Sequence, residues 1–264
     1  MPSPTPADLL SAALRQNAAA PLVTFYDDVS GERTELSATT LGNWVAKTAN
    51  LLQEEFDVGP GRTVGVALPV HWQTAAVLLG TWSCGAAVLE TAAEDDDRLT
   101  AADVVLAGAD RLPPLEELGL DELLGLSLHP LGMGMTGYTG PARDFALEVR
   151  GQGDVFSPWQ PVDPAGVGLV LGGGSLSLAG LVETATELAG RLGIVAGDRV
   201  MVDERAATEA GPVAWLLAPL AAGASIVLTR GATPGLLQSH ASAERVTATL
   251  GLRLDGVREL GRPG

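Results

Sequence analysis

The sequence predicts an α/β protein built from two similar, mostly parallel sub-sheets with helices on both faces. Three observations lead there. Short apolar runs of strand character alternate with segments whose apolar residues recur at helical spacing. The order helix–strand–helix–strand occurs twice, with Gly61 matching Gly197 and Gly85 matching Gly223, so that the two glycine intervals differ by two residues. The chain is 46% hydrophobic and 18% charged, a globular balance rather than a disordered one.

A short helix is expected at Ala7 to Arg15. Leu22 to Tyr26 and Arg33 to Leu36 read as two strands joined by the turn residues Asp28, Ser30 and Gly31. Ser37 can cap the next helix, whose apolar face is Leu41, Trp44, Val45, Thr48 and Leu52. Gly59, Pro60 and Gly61 break it before a buried strand, Thr63 to Leu68. An apolar helix at Thr74 to Cys84 ends at Gly85, and a strand follows at Ala86 to Glu90. Further strands are expected at Asp103 to Ala107 and Phe145 to Arg150, within a poorly periodic stretch.

The pattern then returns. Val167 to Leu171 is a strand, Ser177 caps a helix starting at Leu178, and Arg199 to Asp203 is a strand. Pro212 to Ala222 is an apolar helix closed by Gly223, and Ser225 to Leu228 is a strand. Arg245 to Leu254 alternates weakly, as a last edge strand would. The division this implies is 1–110 for a first α/β subdomain, 111–164 for an irregular connection and 165–264 for a second subdomain. The acidic run Glu94 to Asp97 reads as a solvated loop.

The formal net charge is -16, from 32 acidic and 16 basic residues. Such a chain repels phosphate backbones and anionic lipid, which argues against nucleic acid as a partner. One cysteine, Cys84, excludes an internal disulfide and any multi-cysteine metal site. His71, His129 and His240 are scattered and adjoin no acid or nucleophile at a metal-binding or catalytic spacing. The uncharged stretches 64–89 and 210–229 are interrupted by Pro69, Pro212 and Pro219, so they read as separate helices and strands rather than membrane spans. The N-terminus lacks a basic signal-peptide region, and a cytoplasmic location is expected.

The two repeats, in this order, resemble the N-terminal part of the AMP-forming, adenylating enzymes: acyl-CoA synthetases, luciferases and nonribosomal adenylation domains. The passages that carry the resemblance are Thr34-Glu35-Leu36-Ser37 with its helix, Gly61-Arg62-Thr63-Val64 through Leu68-Pro69, and Leu79-Gly80 through Ala87-Val88. Leu188 to Val202 and Leu217 to Leu228 repeat the pattern. Around Asn43-Trp44-Val45-Ala46-Lys47-Thr48 and His71-Trp72 the chain resembles more closely a short actinobacterial family related to AMP-binding enzymes.

The resemblance implies ATP or AMP as the ligand. In the enzymes a Thr/Ser/Gly-rich loop ending in Pro-Lys-Gly follows a strand and holds the ATP phosphates on its backbone N–H groups. The equivalent place here is Gly172, Gly173, Gly174 and Ser175, the candidate cofactor-binding residues. This loop is shortened and lacks the proline and the lysine; the chain's only lysine, Lys47, lies on a different helix. The family's magnesium-binding glutamate, ribose-binding aspartate and mobile C-terminal domain fall beyond the region of resemblance. No catalytic residue and no metal ligand is assigned.

Three readings stand at this point. One is a truncated, degenerate adenylate-forming-enzyme-like protein, a pseudoenzyme that keeps a small-molecule pocket or serves in a homo-oligomer or with a protein partner. Another is a nucleotide- or acyl-ligand-binding protein acting with a separate partner. The last is an NAD(P)-binding protein, because Gly172, Gly174 and Ser177 imitate a dinucleotide fingerprint and Asp203 ends the next strand. A surviving pocket is expected where His71 and Trp72 follow one strand end and Gly172 to Ser175 follow another.

Overall fold

The computed structural model describes residues 3–91 and 97–261. In chain order the elements are α1 (Pro6–Asn17), β1 (Pro21–Asp27), β2 (Glu32–Ser37), α2 (Ala38–Phe56), β3 (Thr63–Ala67), α3 (Trp72–Ser83), β4 (Ala87–Glu90), β5 (Val104–Gly108), α4 (Leu112–Glu116), β6 (Leu123–Leu126), β7 (Arg143–Asp144) and α5 (Phe145–Val149). They continue with β8 (Val167–Leu171), β9 (Gly174–Ser177), α6 (Leu178–Leu192), β10 (Arg199–Asp203), α7 (Glu204–Pro212), α8 (Ala218–Ala222), β11 (Ser225–Arg230), α9 (Pro234–Ala243), β12 (Ala248–Leu250) and β13 (Arg258–Glu259). Of the acidic run, residues 94–96 lie outside the described residues, and Asp97 opens a 3-10 turn.

The chain forms two compact units. One holds the residues up to Ala7 with Gly42–Gly180, and the other holds Asp8–Leu41 with Leu181 onward. The first unit contains a seven-stranded sheet of order β7-β6-β5-β3-β4-β8-β9, in which β9 alone runs antiparallel to its neighbour. Its α3 is buried from Trp72 to Trp82, as an apolar helix must be. Ala67, Leu89, Leu99, Val105, Leu112 and Leu115 form a core cluster against the sheet.

The second unit contains a six-stranded sheet of order β13-β12-β10-β11-β1-β2, in which β2 alone is antiparallel. Tyr26, Met201, Val227, Ala241 and Val246 pack there.

The duplication read in the sequence is present at single hydrogen bonds. In the first sheet Thr63 N–H donates to the Asp103 carboxylate at 2.7 Å, and Asp103 N–H returns a bond to the Thr63 carbonyl at 2.8 Å. In the second, Arg199 N–H donates to the Thr247 hydroxyl at 2.9 Å, and Thr247 N–H returns to the Arg199 carbonyl at 3.0 Å. Both β3 and β10 sit centrally, with the next strand on one side and the one after it on the other.

Sheet membership departs from the expected division. The hairpin β1–β2 joins the later repeat's strand β11, and β8–β9 joins the earlier repeat's strand β4. Each repeat therefore begins with a hairpin that completes the other repeat's sheet. The stretch 111–164 is not merely a connection, because β6 pairs with β5. Asn50 and Gln53 of α2 also hold residues 153–159 by side-chain bonds to their backbone.

Three element expectations are corrected. Phe145 to Arg150 is not a strand: Asp144 caps a helix there, accepting from Ala146 and Leu147 N–H at 2.9 and 3.4 Å, while Phe145, Ala146 and Val149 share a buried face. Thr233-Pro234 opens α9, which the sequence reading left without an element. The expected last strand shrinks to three residues in β12 and is not at the edge, since β13 pairs outside it. Among the described residues, no helix is long and apolar enough to cross a membrane.

Candidate functional site

In each sheet the central strand is flanked by strands reached in opposite directions, which makes a topological switch point at its C-terminal end. The two switch points are built differently.

In the seven-stranded sheet the first turn of α3 follows closely on β3. His71 caps that turn, its Nδ1 accepting from Gln73 N–H at 3.1 Å, and it is 2% exposed. Trp72 is equally buried and meets Trp44 edge-on at 5.1 Å between centroids. At the end of β4 stands Glu90, whose carboxyl burial pushes up to about 7.

Gly172 and Gly173 form the two-residue turn of the β8–β9 hairpin, and Gly174 and Ser175 begin β9. All four are exposed, and a Cβ on any of the three glycines would meet no atom within 4 Å. The strand β9 separates this turn from α6. Ser177 Oγ caps α6 by accepting from Gly180 N–H at 3.0 Å. That geometry overturns the dinucleotide reading, in which the glycine turn must open directly into a helix. Lys47, the only lysine, pairs with Asp154 at 3.2 Å and donates to the Gln152 carbonyl, so its charge is engaged there.

In the six-stranded sheet the switch point is open. A cavity of about 520 Å³ lies at the ends of β10 and β12, lined by Asp203, Arg205, Ala206, Glu209, Leu250 and Gly251. Gly251 has φ +76°, and a Cβ on it would lie 2.1 Å from that of Ala206, so the end of β12 abuts α7 where no side chain fits. One N–H at the N-terminus of α7 is already taken, because Asp203 Oδ1 accepts from Arg205 N–H at 3.1 Å. Arg205 in turn pairs with Glu209 at 2.9 Å. Behind the rim, burial raises the Glu204 carboxyl, Arg230 opposes that, and Asp203 and Asp27 reinforce it. Acidic groups thus outnumber cations here, which disfavours a phosphate.

Sequence reasoning singled out Asp203 but missed its cap and cavity, since Leu250 and Gly251 come 47 and 48 residues later. Cys84 is core, as its apolar helix implies: it is 1% exposed, and burial pushes its thiol up to about 12. His240 stacks on Tyr26 and pairs with Asp28 at 2.9 Å, and His129 Nδ1 accepts from Leu131 N–H. Among the described residues there is no group of three or more His, Cys, Asp or Glu that could hold a metal ion.

A Mycobacterium tuberculosis protein described as a TIGR03089 family protein is 42% identical over 250 residues, which cover 92% of this chain and 96% of that one. The chain belongs to the TIGR03089 family. No protein-family model matches it. Solved structures similar to this TIGR03089 member are adenylate-forming CoA ligases. An anthranilate CoA ligase in complex with anthranoyl-AMP gives a TM-score of 0.75 at 18% identity, over 94% of this chain and 50% of that one. A benzoate CoA ligase from Burkholderia xenovorans LB400 gives 0.71 at 16%, over 94% and 50%. A Brucella canis acyl-CoA synthetase gives 0.73 at 16%, over 94% and 48%. The TIGR03089 chain spans about half the length of these structures and shares the fold of their N-terminal part.

Proposed function

We propose that this chain is a non-catalytic form of the adenylate-forming fold that keeps a small-molecule cavity in its six-stranded unit. The observation that carries the reading is the Gly172–Gly173 turn. Two exposed residues joining antiparallel strands offer too few converging N–H groups to wrap a triphosphate, and no cation lies within the turn. Acyl-adenylate chemistry depends on positive groups placed against developing phosphate charge. The remaining cavity is rimmed by Asp203 and Glu209 with Arg205 tied to Glu209, an environment suited to an uncharged or cationic ligand.

A second reading, a nucleotide- or acyl-ligand-binding protein working with a separate partner, draws support from the cavity's position at a switch point. Isothermal calorimetry with ATP and magnesium, repeated with AMP, decides between them. The proposal expects no saturable heat at millimolar nucleotide. Saturable binding would overturn it in favour of the second reading, at the turn if Gly173→Asp abolishes it and elsewhere if that variant leaves it intact.

A further inference from the structure

We propose that β9 is a self-pairing edge through which two copies of this chain associate, antiparallel, about a two-fold axis. The two sheets have four edge strands: β7 and β9 in one, β13 and β2 in the other. Exposed edges invite pairing with another chain unless they are short, charged or covered. β7 is Arg143–Asp144 and β13 is Arg258–Glu259, each two residues long and charged throughout. β2 carries Glu32, Arg33 and Glu35, with Arg33 and Glu35 paired at 2.6 Å. β9 is Gly-Ser-Leu-Ser, without a charge.

The contrast extends along the chain. Residues 164–182 contain no charged side chain, although the whole protein carries a net charge of -16. Two copies repel each other over most of their surface and least along this edge, which is why the occupant is a second copy. Within the hairpin, Leu171 and Gly174 close the two-residue turn, so the next pair, Val170 and Ser175, is not hydrogen-bonded. The N–H and C=O of Ser175 therefore point away from β8, towards an approaching strand. Val167 and Leu171 of β8 stay 44% and 48% exposed beside it and add apolar contact. An antiparallel edge is self-complementary, so the contact closes as a dimer instead of growing into a filament.

A four-residue strand offers few bonds, so the dimer is expected to be weak, with Kd on the order of micromolar. Added salt should tighten it by screening the like charge, the reverse of an interface held by ion pairs. The test is sedimentation equilibrium on the full chain from ~1 to ~100 µM, at low salt and at about 0.5 M NaCl. The expected mass rises from 27.0 kDa towards twice that value, further at high salt. Ser175→Pro removes the outward N–H without touching the β8 pairing and should remain at 27.0 kDa. Val167→Glu, at an exposed side chain, should do the same and covers the case in which the proline variant misfolds. A 27.0 kDa species throughout, or a dimer that survives in a folded variant, overturns the proposal. So does a dimer that salt dissociates.

Discussion

The Tyr26 hydroxyl donates to Glu244 Oε1 at 2.6 Å across 218 residues of sequence. Arg33 donates to the same oxygen at 2.8 and 3.1 Å, and Arg199 pairs with the other, Oε2. Burial alone would raise this carboxyl, but the bonds from Tyr26, Arg199 and Arg33 outweigh burial and hold it at about 2. One acid at the end of α9 thereby ties that helix to β1, β2 and β10.

Replacing it should be costly. Glu244→Gln keeps the shape but leaves Arg199 and Arg33 with Glu35 alone as counter-charge, and a loss of ~2 kcal/mol is expected in urea unfolding. The pH dependence follows from the depressed value. The stabilisation is complete above the ordinary 4.5 and disappears as pH falls towards about 2. Wild type should lose stability steeply across that window, while the variant should show a flatter acid limb. Equal slopes would count against the network.

Glu90 has the opposite sign. Burial raises its value from 4.5 to about 7, so the folded state holds a proton that the unfolded state releases between those values. Its destabilising effect is absent below 4.5 and complete above 7. Glu90→Gln should raise the Tm at pH 8 by several degrees and leave it unchanged at pH 4, as read by calorimetry across pH. A pH-independent difference would mean that the carboxyl is not desolvated.

Gly251→Ala places a methyl group on that of Ala206 and forces an L-residue to φ +76°. Strain and overlap together should cost ~2–3 kcal/mol. Ala206→Gly in the same chain should recover the overlap part and not the backbone part. Failure of that double variant to gain stability over Gly251→Ala would remove close approach as the reason for the glycine.

Trp82 is fully buried and its indole N–H donates to the Gly168 carbonyl at 2.7 Å, joining α3 to β8. Trp82→Phe removes that bond and leaves a small void, for an expected ~2 kcal/mol. Amide exchange should quicken first in β8 and β9, where the bond anchors the hairpin. Uniform acceleration across the seven-stranded sheet would show that the hairpin has no separate stability.

Much of this protein is written locally. Helical spacing in α2, α3 and α6, the Ser37 and Ser177 caps, and glycines of positive φ at 61, 85, 197 and 223 all act within a few residues. They determine the repeat, the α/β class and the likeness to adenylating enzymes. Alternation alone could not decide Phe145 to Arg150, because a strand pattern and a single helical turn share those residues until Asp144 turns inward as a cap.

Partner choice is another matter. Nothing near β1 or β8 in sequence states which sheet each hairpin completes, since a strand's ladder is satisfied by residues far along the chain. The same holds for the site. Gly172 to Ser175 look alike in sequence whether or not they turn a hairpin, and only the pairing of Leu171 with Gly174 places them in one. The cavity at Asp203 exists because β12 returns beside β10 and stops at Gly251. Sequence determined most of the segments that are helix and strand; the tertiary structure decided the rest and which of them meet, because burial of apolar faces is a property of the whole chain and local propensity is not.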